Sequence, residues 1–243
     1  MLELYNAPKS TCSQKVRIVL AEKALEWQDR PVDLARQEHL SDWYLKLNPN
    51  GVVPTLVHDG RAVIDSSVIG EYIEEVFPEK PLAPVDPWGR AKMRAWRQYI
   101  DEVPTAAVRP PSFNAFVQRN WAGMNERQFE EFTAKMPLRK HFYRRMGQQG
   151  FSEADIRDAL EKLRSCFERV ERELASEPWL AGGRFTLADI ALTPSVVRME
   201  DLGHAQLWSD LPRFADWYAR IRARPSFALA YYPGSRALDP VRR

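Results

Sequence analysis

Four consecutive residues, Ser10, Thr11, Cys12 and Ser13, stand just ahead of an apolar pattern, Val16, Ile18, Val19, Leu20 and Leu25, that has helical spacing and no Gly or Pro inside it. A helix start leaves backbone N–H groups without partners, and hydroxyls placed there cap them. The same placement lets a hydroxyl donate to an anion, with the helix dipole adding to the attraction. Cys12 adds a thiol at the same spot. The plainer reading of Ser10, Thr11 and Ser13 is helix capping, and at least two of them must be only that.

A second stretch has chemistry of a different kind. Asn48-Pro-Asn-Gly-Val-Val-Pro54 leads into two short apolar runs, Thr55 to Val57 and Ala62 to Ile64, around Asp59-Gly60, a strong hairpin signal. Asp65-Ser66 then precedes Val68, Ile69, Tyr72, Ile73 and Val76 and reads as a helix N-cap. A strand opened by Pro54 leaves backbone groups unpaired and open to a peptide. The capped helix start offers donors to a carboxylate. Taken alone, the stretch is an ordinary hairpin before a helix.

The elements that must position these residues follow from periodicity. Leu2 to Tyr5 alternates as a strand, a helix is expected from about Cys12 to Ala24, and a second strand is centred on Trp27 and ends near Pro31. A loop with a short helix capped by Ser41 comes next, then the hairpin and a helix to Phe77. The order β-α-β-α-β-β-α implies one sheet with helices around it. Pro78, Pro81, Pro84 and Pro87 fall within ten residues and cannot form a helix interior. The expected division is a first domain over 1–78, a linker over 79–88 and an all-helical domain over 89–243. In that half, helices are expected over Arg90 to Val103, Asn125 to Ala134, Leu138 to Met146, Ser152 to Leu174, from Thr186-Leu-Ala-Asp189 onward, and Leu211 to Ala223, closed by Arg224-Pro225. The tail after Tyr232 is expected to be loose.

Composition narrows the function classes. The chain has 243 residues, 44% hydrophobic and 28% charged, with a net charge of +2. That balance gives no general pull towards nucleic acid or an anionic membrane. No apolar run approaches membrane-spanning length, and Met1-Leu-Glu-Leu-Tyr5 reads as a strand rather than a signal peptide. Two cysteines and four scattered histidines give neither a disulfide framework nor metal-ligand spacing, so no metal is expected and the cytoplasm is the expected compartment.

Val53-Pro54, Asp65-Ser66 and Phe185-Thr-Leu-Ala-Asp189, set in this order around a proline-rich joint, resemble the cytosolic glutathione S-transferases over nearly the whole chain. Within that superfamily the sequence is similar to the bacterial β-etherases that cleave aryl ethers of lignin fragments, through His39-Leu-Ser-Asp-Trp43, Asn48-Pro49, His58-Asp-Gly60, Glu71-Tyr72, Val76-Phe-Pro78, Asp86-Pro87 and Asp101-Glu102, and through a long insert between the first two helices of the helical half. The resemblance implies a thioredoxin-like first domain with Pro54 as a cis-proline, glutathione as cosubstrate, and a homodimer. Val52, Val53 and Pro54 would face the peptide backbone of glutathione, Asp65 and Ser66 its γ-glutamyl end, and His39 or Lys46 its glycyl carboxylate. Val52 stands where many relatives carry Gln, so one side-chain contact is absent.

The resemblance leaves the thiol-activating residue open. Ser13 matches the serine of the β-etherases, Ser10 that of the theta- and phi-like enzymes, and Cys12 the cysteine of the beta-like class; Tyr5 sits where tyrosine-using classes keep theirs. A thiol is mostly protonated at neutral pH, so a donor that holds its thiolate is needed. The electrophile is expected between the two halves, against Pro8, Trp43, Tyr99, Val103, Phe113, Phe116 and Trp121. Each of these is also an ordinary packing residue. Arg139, Lys140, His141, Arg144 and Arg145 read as a solvated basic face, or as a contact for an acidic substrate group. Asp189 reads as a structural cap and Cys166 as a buried, unreactive thiol. The expected function is a glutathione transferase acting on an aromatic electrophile, in its sharper form a β-aryl ether. A Cys12-based glutathione–thiol oxidoreductase and a non-catalytic glutathione- or ligand-binding protein are the competing classes.

Overall fold

A computed structural model describes residues 1–117, 121 and 123–237. Its first half is a four-stranded sheet in the order β2-β1-β3-β4. The central strand β1 (Leu2–Asn6) runs parallel to β2 (Gln28–Pro31) and antiparallel to β3 (Thr55–His58), with Leu4 opposite Leu56. β3 turns into β4 (Arg61–Ile64) through Asp59 and Gly60, both at positive φ as a two-residue hairpin turn requires. Helices α1 (Thr11–Glu22), α2 (Asp42–Leu47) and α3 (Ser66–Val76) complete this half. β2 begins just after Trp27 rather than being centred on it. It is a polar, largely exposed edge strand, so alternation could not mark it.

The proline-rich segment leads directly into a helix. α4 (Pro87–Glu102) starts earlier than Arg90, because Asp86 accepts from the Gly89 N–H at 2.8 Å and Pro87 fills the first turn, where its missing N–H costs nothing. Before it, Leu82 and Ala83 are buried, and their N–H groups donate to Glu74 of α3 at 2.9 and 3.1 Å. Prolines also open the short helices α5 (Pro104–Ala107) and, one residue in, α6 (Arg109–Ser112), after which Phe113–Val117 forms a π-helical turn.

The insert carries α7 (Glu126–Ala134) and α8 (Lys140–Met146); α9 (Glu153–Glu173), α10 (Leu187–Asp201) and α11 (Pro212–Arg222) follow. Pro225 does not end the helical half. It opens a further helix, α12 (Pro225–Ala230), packed on α1. The tail expected to be loose is tied down as far as it is described: Gln14 Nε2 donates to the Ser235 carbonyl at 2.9 Å, and Lys9 Nζ to the Ala237 carbonyl at 3.0 Å.

One core runs through both halves, joining Leu4, Val16, Leu20, Leu56 and Ile69 to Met93, Trp96, Ile100, Phe167, Val196 and Trp217. Asp189 sits wholly within it, accepting from Leu180 N, Thr186 N and Trp217 Nε1. A separate core belongs to the insert: Trp121, Phe129, Phe132, Met136, Tyr143, Met146 and Phe151, with Leu40 of the first half packed against it. The insert therefore reaches back over the sheet domain and roofs the space between the halves.

Candidate active site

The start of α1 sorts the hydroxyls. Ser10 is the N-cap; its Oγ accepts from the Ser13 N–H at 3.3 Å. A capping hydroxyl keeps its own proton and can still donate. Ser10, Thr11 and Cys12 line the cleft between the halves. Ser13 does not: it is fully buried, and its Oγ accepts from the Ala7 N–H at 3.3 Å, bracing the loop from within. Tyr5 is also turned away from the cleft, packing against Trp43 and Tyr44 with ring centroids 6.0 and 6.5 Å distant.

The loop ahead of α1 is held from below by two buried arginines. Arg17 donates to Asn6 Oδ1 and the Pro8 carbonyl at 2.8 Å, and to the Ala230 carbonyl of α12 at 3.1 Å. Arg198 of α10 donates to the Lys9 carbonyl and stands 4.8 Å from the Phe116 ring centroid. Burial lowers both, Arg198 to about 10, and both remain charged at neutral pH. Neither was visible as a site residue in the sequence, since a lone Arg in an apolar helix pattern has no local mark.

The opposite wall is the edge of the sheet domain. The Val53–Pro54 bond is cis. The Val52 carbonyl accepts from Tyr44 Oη and Asn48 Nδ2, both at 2.8 Å, and these two side chains also hold Thr55 Oγ1 at 3.0 Å. Val52 and Val53 line the cleft, and Val53 falls just outside the β3 ladder. Its N–H and carbonyl are thus positioned to pair with an extended peptide. His39 lies in the same wall, buried, with Nδ1 lacking any described partner. Burial and the nearby Arg139 lower it to about 4, so it is neutral at physiological pH.

Pro54, Asp65 and Ser66 do not line this cleft. Asp65 caps α3, accepting from Ser67 N at 2.8 Å and Val68 N at 3.2 Å, and Ser66 is buried behind it. Their helix start is tied to the helical half by Lys15, whose Nζ donates to Ser67 Oγ at 3.0 Å and Asp101 Oδ1 at 2.8 Å. Arg97 joins the same network through Glu71 and the Ser67 carbonyl. Lys46 is exposed and stands off the cleft.

The cleft encloses about 970 Å³. Pro8, Phe113, Phe116 and Trp121 line it as expected. Tyr99, Val103 and Trp43 do not. Tyr99 turns towards Arg169, 4.1 Å from its ring centroid, and packs on Trp96; Val103 caps α4; Trp43 lies on the outer face of the sheet domain beside Tyr44. The inner stripe of α4 feeds the core, and the pocket instead takes its apolar wall from Val108 and from Phe132, Met136, Leu138 and Tyr143 of the insert. Their helical pattern announced packing but not what they pack around. The arrangement brings a hydroxyl donor at a helix start, an unpaired strand edge and an apolar pocket around one cavity. It can hold a short peptide, stabilise an anion beside Ser10, and receive an aromatic molecule.

Two family models match the chain, Glutathione S-transferase, N-terminal domain over residues 9–76 and Glutathione S-transferase, C-terminal domain over residues 141–220. Protein LigF of Sphingobium sp. is 33% identical, covering 93% of this chain and 91% of its own. Maleylacetoacetate isomerase of Pseudomonas aeruginosa is also 33% identical, over 95% of both chains. Tetrachloro-p-hydroquinone reductive dehalogenase of Sphingobium chlorophenolicum is 27% identical over 94% of this chain and 95% of its own. Among solved structures, the crystal structure of the β-etherase LigF from Sphingobium sp. superposes with a TM-score of 0.84 at 32% identity, covering 95% of this chain and 98% of that one.

Proposed function

The chain belongs to the glutathione S-transferase family, an enzyme family with glutathione as cosubstrate, and from that premise we propose that it activates the glutathione thiol at Ser10 for attack on an aromatic electrophile held under the insert. The observation that carries this reading is the Ser10 hydroxyl, which caps α1 through its lone pair and lines the cleft with its proton still to give. The residues fit the peptide: Val53 offers an open backbone edge, and His39 offers a buried nitrogen without a partner among the described residues. Asp65 and Ser66, at the start of α3, lie outside the cavity, so the γ-glutamyl end would have to extend beyond it to reach them.

Glutathione supplies the sulfur nucleophile. The protein's part is to hold that sulfur as a thiolate. Ser10 donates its hydroxyl proton in a charge-assisted hydrogen bond, and Arg17 and Arg198 fix the loop that carries it. Phe113, Phe116 and Trp121 present an apolar surface to an aryl group. In the sharper form, the electrophile is a β-aryl ether: a carbon–sulfur bond forms, the carbon–oxygen bond breaks, and the departing phenolate takes up a proton to leave as a phenol. Likeness to LigF supports that substrate; likeness to an isomerase and a dehalogenase keeps the coarser statement the firmer one.

The test is turnover of a model aryl halide and of a β-aryl ether with glutathione. Binding of glutathione without turnover of either sinks the proposal. A second reading, a Cys12-based oxidoreductase, rests on Cys12 lining the same cleft. It requires a Cys12–glutathione adduct by intact-mass spectrometry and loss of disulfide reduction in Cys12→Ser. A cytoplasmic homodimer completes the proposal, and sedimentation at working concentration tests the assembly.

A further inference from the structure

Two arginines in the cleft have no ion-pair partner among the described residues. Arg109, at the start of α6, and Arg139, just ahead of α8, both line the cavity, half-buried. Every other described arginine drawn into the structure's interior donates to something, as Arg17 and Arg198 do to loop atoms and Arg97 to Glu71 and the Ser67 carbonyl. The guanidiniums of Arg109 and Arg139 make no hydrogen bond, ion pair or ring contact with any described residue. Burial and, after it, the charge on Arg139 lower Arg109.

The acidic groups nearby are committed elsewhere. Asp101, within electrostatic range of Arg109, is held by Lys15 at 2.8 Å. Glu38 and Asp33 line the cleft but accept from backbone: Glu38 from Asp33 N at 2.8 Å, Asp33 from Ala35 N and Arg36 N at 2.9 and 3.0 Å. Two guanidiniums left partly desolvated without a partner are costly, and an anion placed at them recovers that cost. The planar fork of Arg matches a carboxylate through two parallel hydrogen bonds.

We propose that Arg109 selects an electrophile that carries a carboxylate group. This rests on the transferase reading and names its substrate class. The anion belongs to the electrophile rather than to glutathione because of where Arg109 stands. Arg109 comes from the helical half, at the start of α6, and lines the same cavity as Ser10 and Cys12. The glycyl end is expected at His39, which belongs to the sheet domain. The apolar lining from Phe113 and Phe116 lies beside Arg109 in sequence and in the cavity, so one ligand can place an aryl ring on the phenylalanines and its acid at the guanidinium.

The test uses binding, so that it does not depend on turnover. Two probes are compared by calorimetry on the full chain: the glutathione thioether of a nitrobenzoate and that of the matching nitrobenzamide, which differ only in the ring carboxylate. The protein is expected to bind the benzoate conjugate about tenfold or more tightly than the benzamide, the size of a hydrogen bond to a charged group. Arg109→Gln is expected to bring that ratio close to one, and Arg109→Lys to restore part of it. Equal affinities for the two conjugates in the unsubstituted protein overturn the proposal. So does a fall in affinity for glutathione itself, in Arg109→Gln, as large as the fall for the benzoate conjugate. Preference without turnover counts against the transferase reading alone, and turnover without preference counts against this inference alone.

Discussion

Ser10 and Ser13 are three residues apart and do different work, and the difference is measurable. Ser10 faces the cleft, whereas Ser13 is enclosed and satisfies the Ala7 N–H. Ser10→Ala removes one charge-assisted donor but leaves the N-terminus of α1, so the bound thiol pKa is expected to rise by about one unit and turnover near neutral pH to fall about tenfold. Ultraviolet absorbance of the bound thiolate against pH checks this. Ser13→Ala leaves a buried N–H unpaired and is expected to cost about 1–3 kcal/mol of stability while moving the thiol pKa little. If the two variants trade effects, Ser13 is the activating residue. His39 gives a pH prediction of its own. Its folded pKa, lowered to about 4 by burial and Arg139, lies below the unfolded value of about 6.5. The unfolded chain therefore binds a proton that the native chain refuses. The stabilisation is complete above pH about 6.5 and is lost as pH falls towards about 4, to a total of up to about 3 kcal/mol. Chemical denaturation from neutral to acid pH is expected to show a steeper loss in the unsubstituted protein than in His39→Asn.

At the scale of elements, the sequence disclosed what local rules govern. Capping residues marked α9 and α10, the apolar stripe of α4 went to the core, and the Asp59-Gly60 turn formed where a hairpin was expected. Prolines misled in two places, at Pro87 and Pro225, because a proline in the first turn begins a helix as readily as it ends the one before. The candidate site was legible only where a backbone feature marked it, as at Val53–Pro54 and the start of α1. Tyr99 was expected in the pocket and lies against Arg169 instead, since the face a helix residue presents depends on partners far away in the chain. Arg109 and Arg198 gave no signal, because an isolated Arg acquires meaning only when the fold encloses it. Asp189 shows how much one cap can carry. It accepts from Leu180 N, Thr186 N, Thr186 Oγ1 and the Trp217 indole, all buried, so Asp189→Ala strands four donors at once. A loss of about 3–5 kcal/mol is expected by denaturant unfolding. A loss below about 1 kcal/mol would mean that other acceptors take over these donors.

Across the whole molecule, the loop ahead of α1 is held by parts remote in sequence. Arg17 links Asn6 and Pro8 to the Ala230 carbonyl at the end of α12, and Arg198 of α10 holds the Lys9 carbonyl. Beyond α12 the chain passes back over α1, where the Ser235 and Ala237 carbonyls accept from Gln14 and Lys9. Arg236 in this segment pairs with Glu200 and Asp201 at the end of α10, closing the tie on the helical side. Each bond is worth about 1 kcal/mol, too little to decide whether the protein folds, but together they restrict the loop that sets the Ser10 geometry. Gly234 and Ala237 also line the cleft, so the segment is part of the wall as well as a strap. A chain ending at Tyr232 keeps α12 and the shared core and is expected to fold with a melting temperature within a few degrees of the full chain. Its loop from Asn6 to Ser10 is expected to exchange amide hydrogens faster, and its turnover number to fall more than its affinity for glutathione. Unchanged exchange in that loop after truncation would falsify the strap; a collapse of the fold would show instead that the segment belongs to the core.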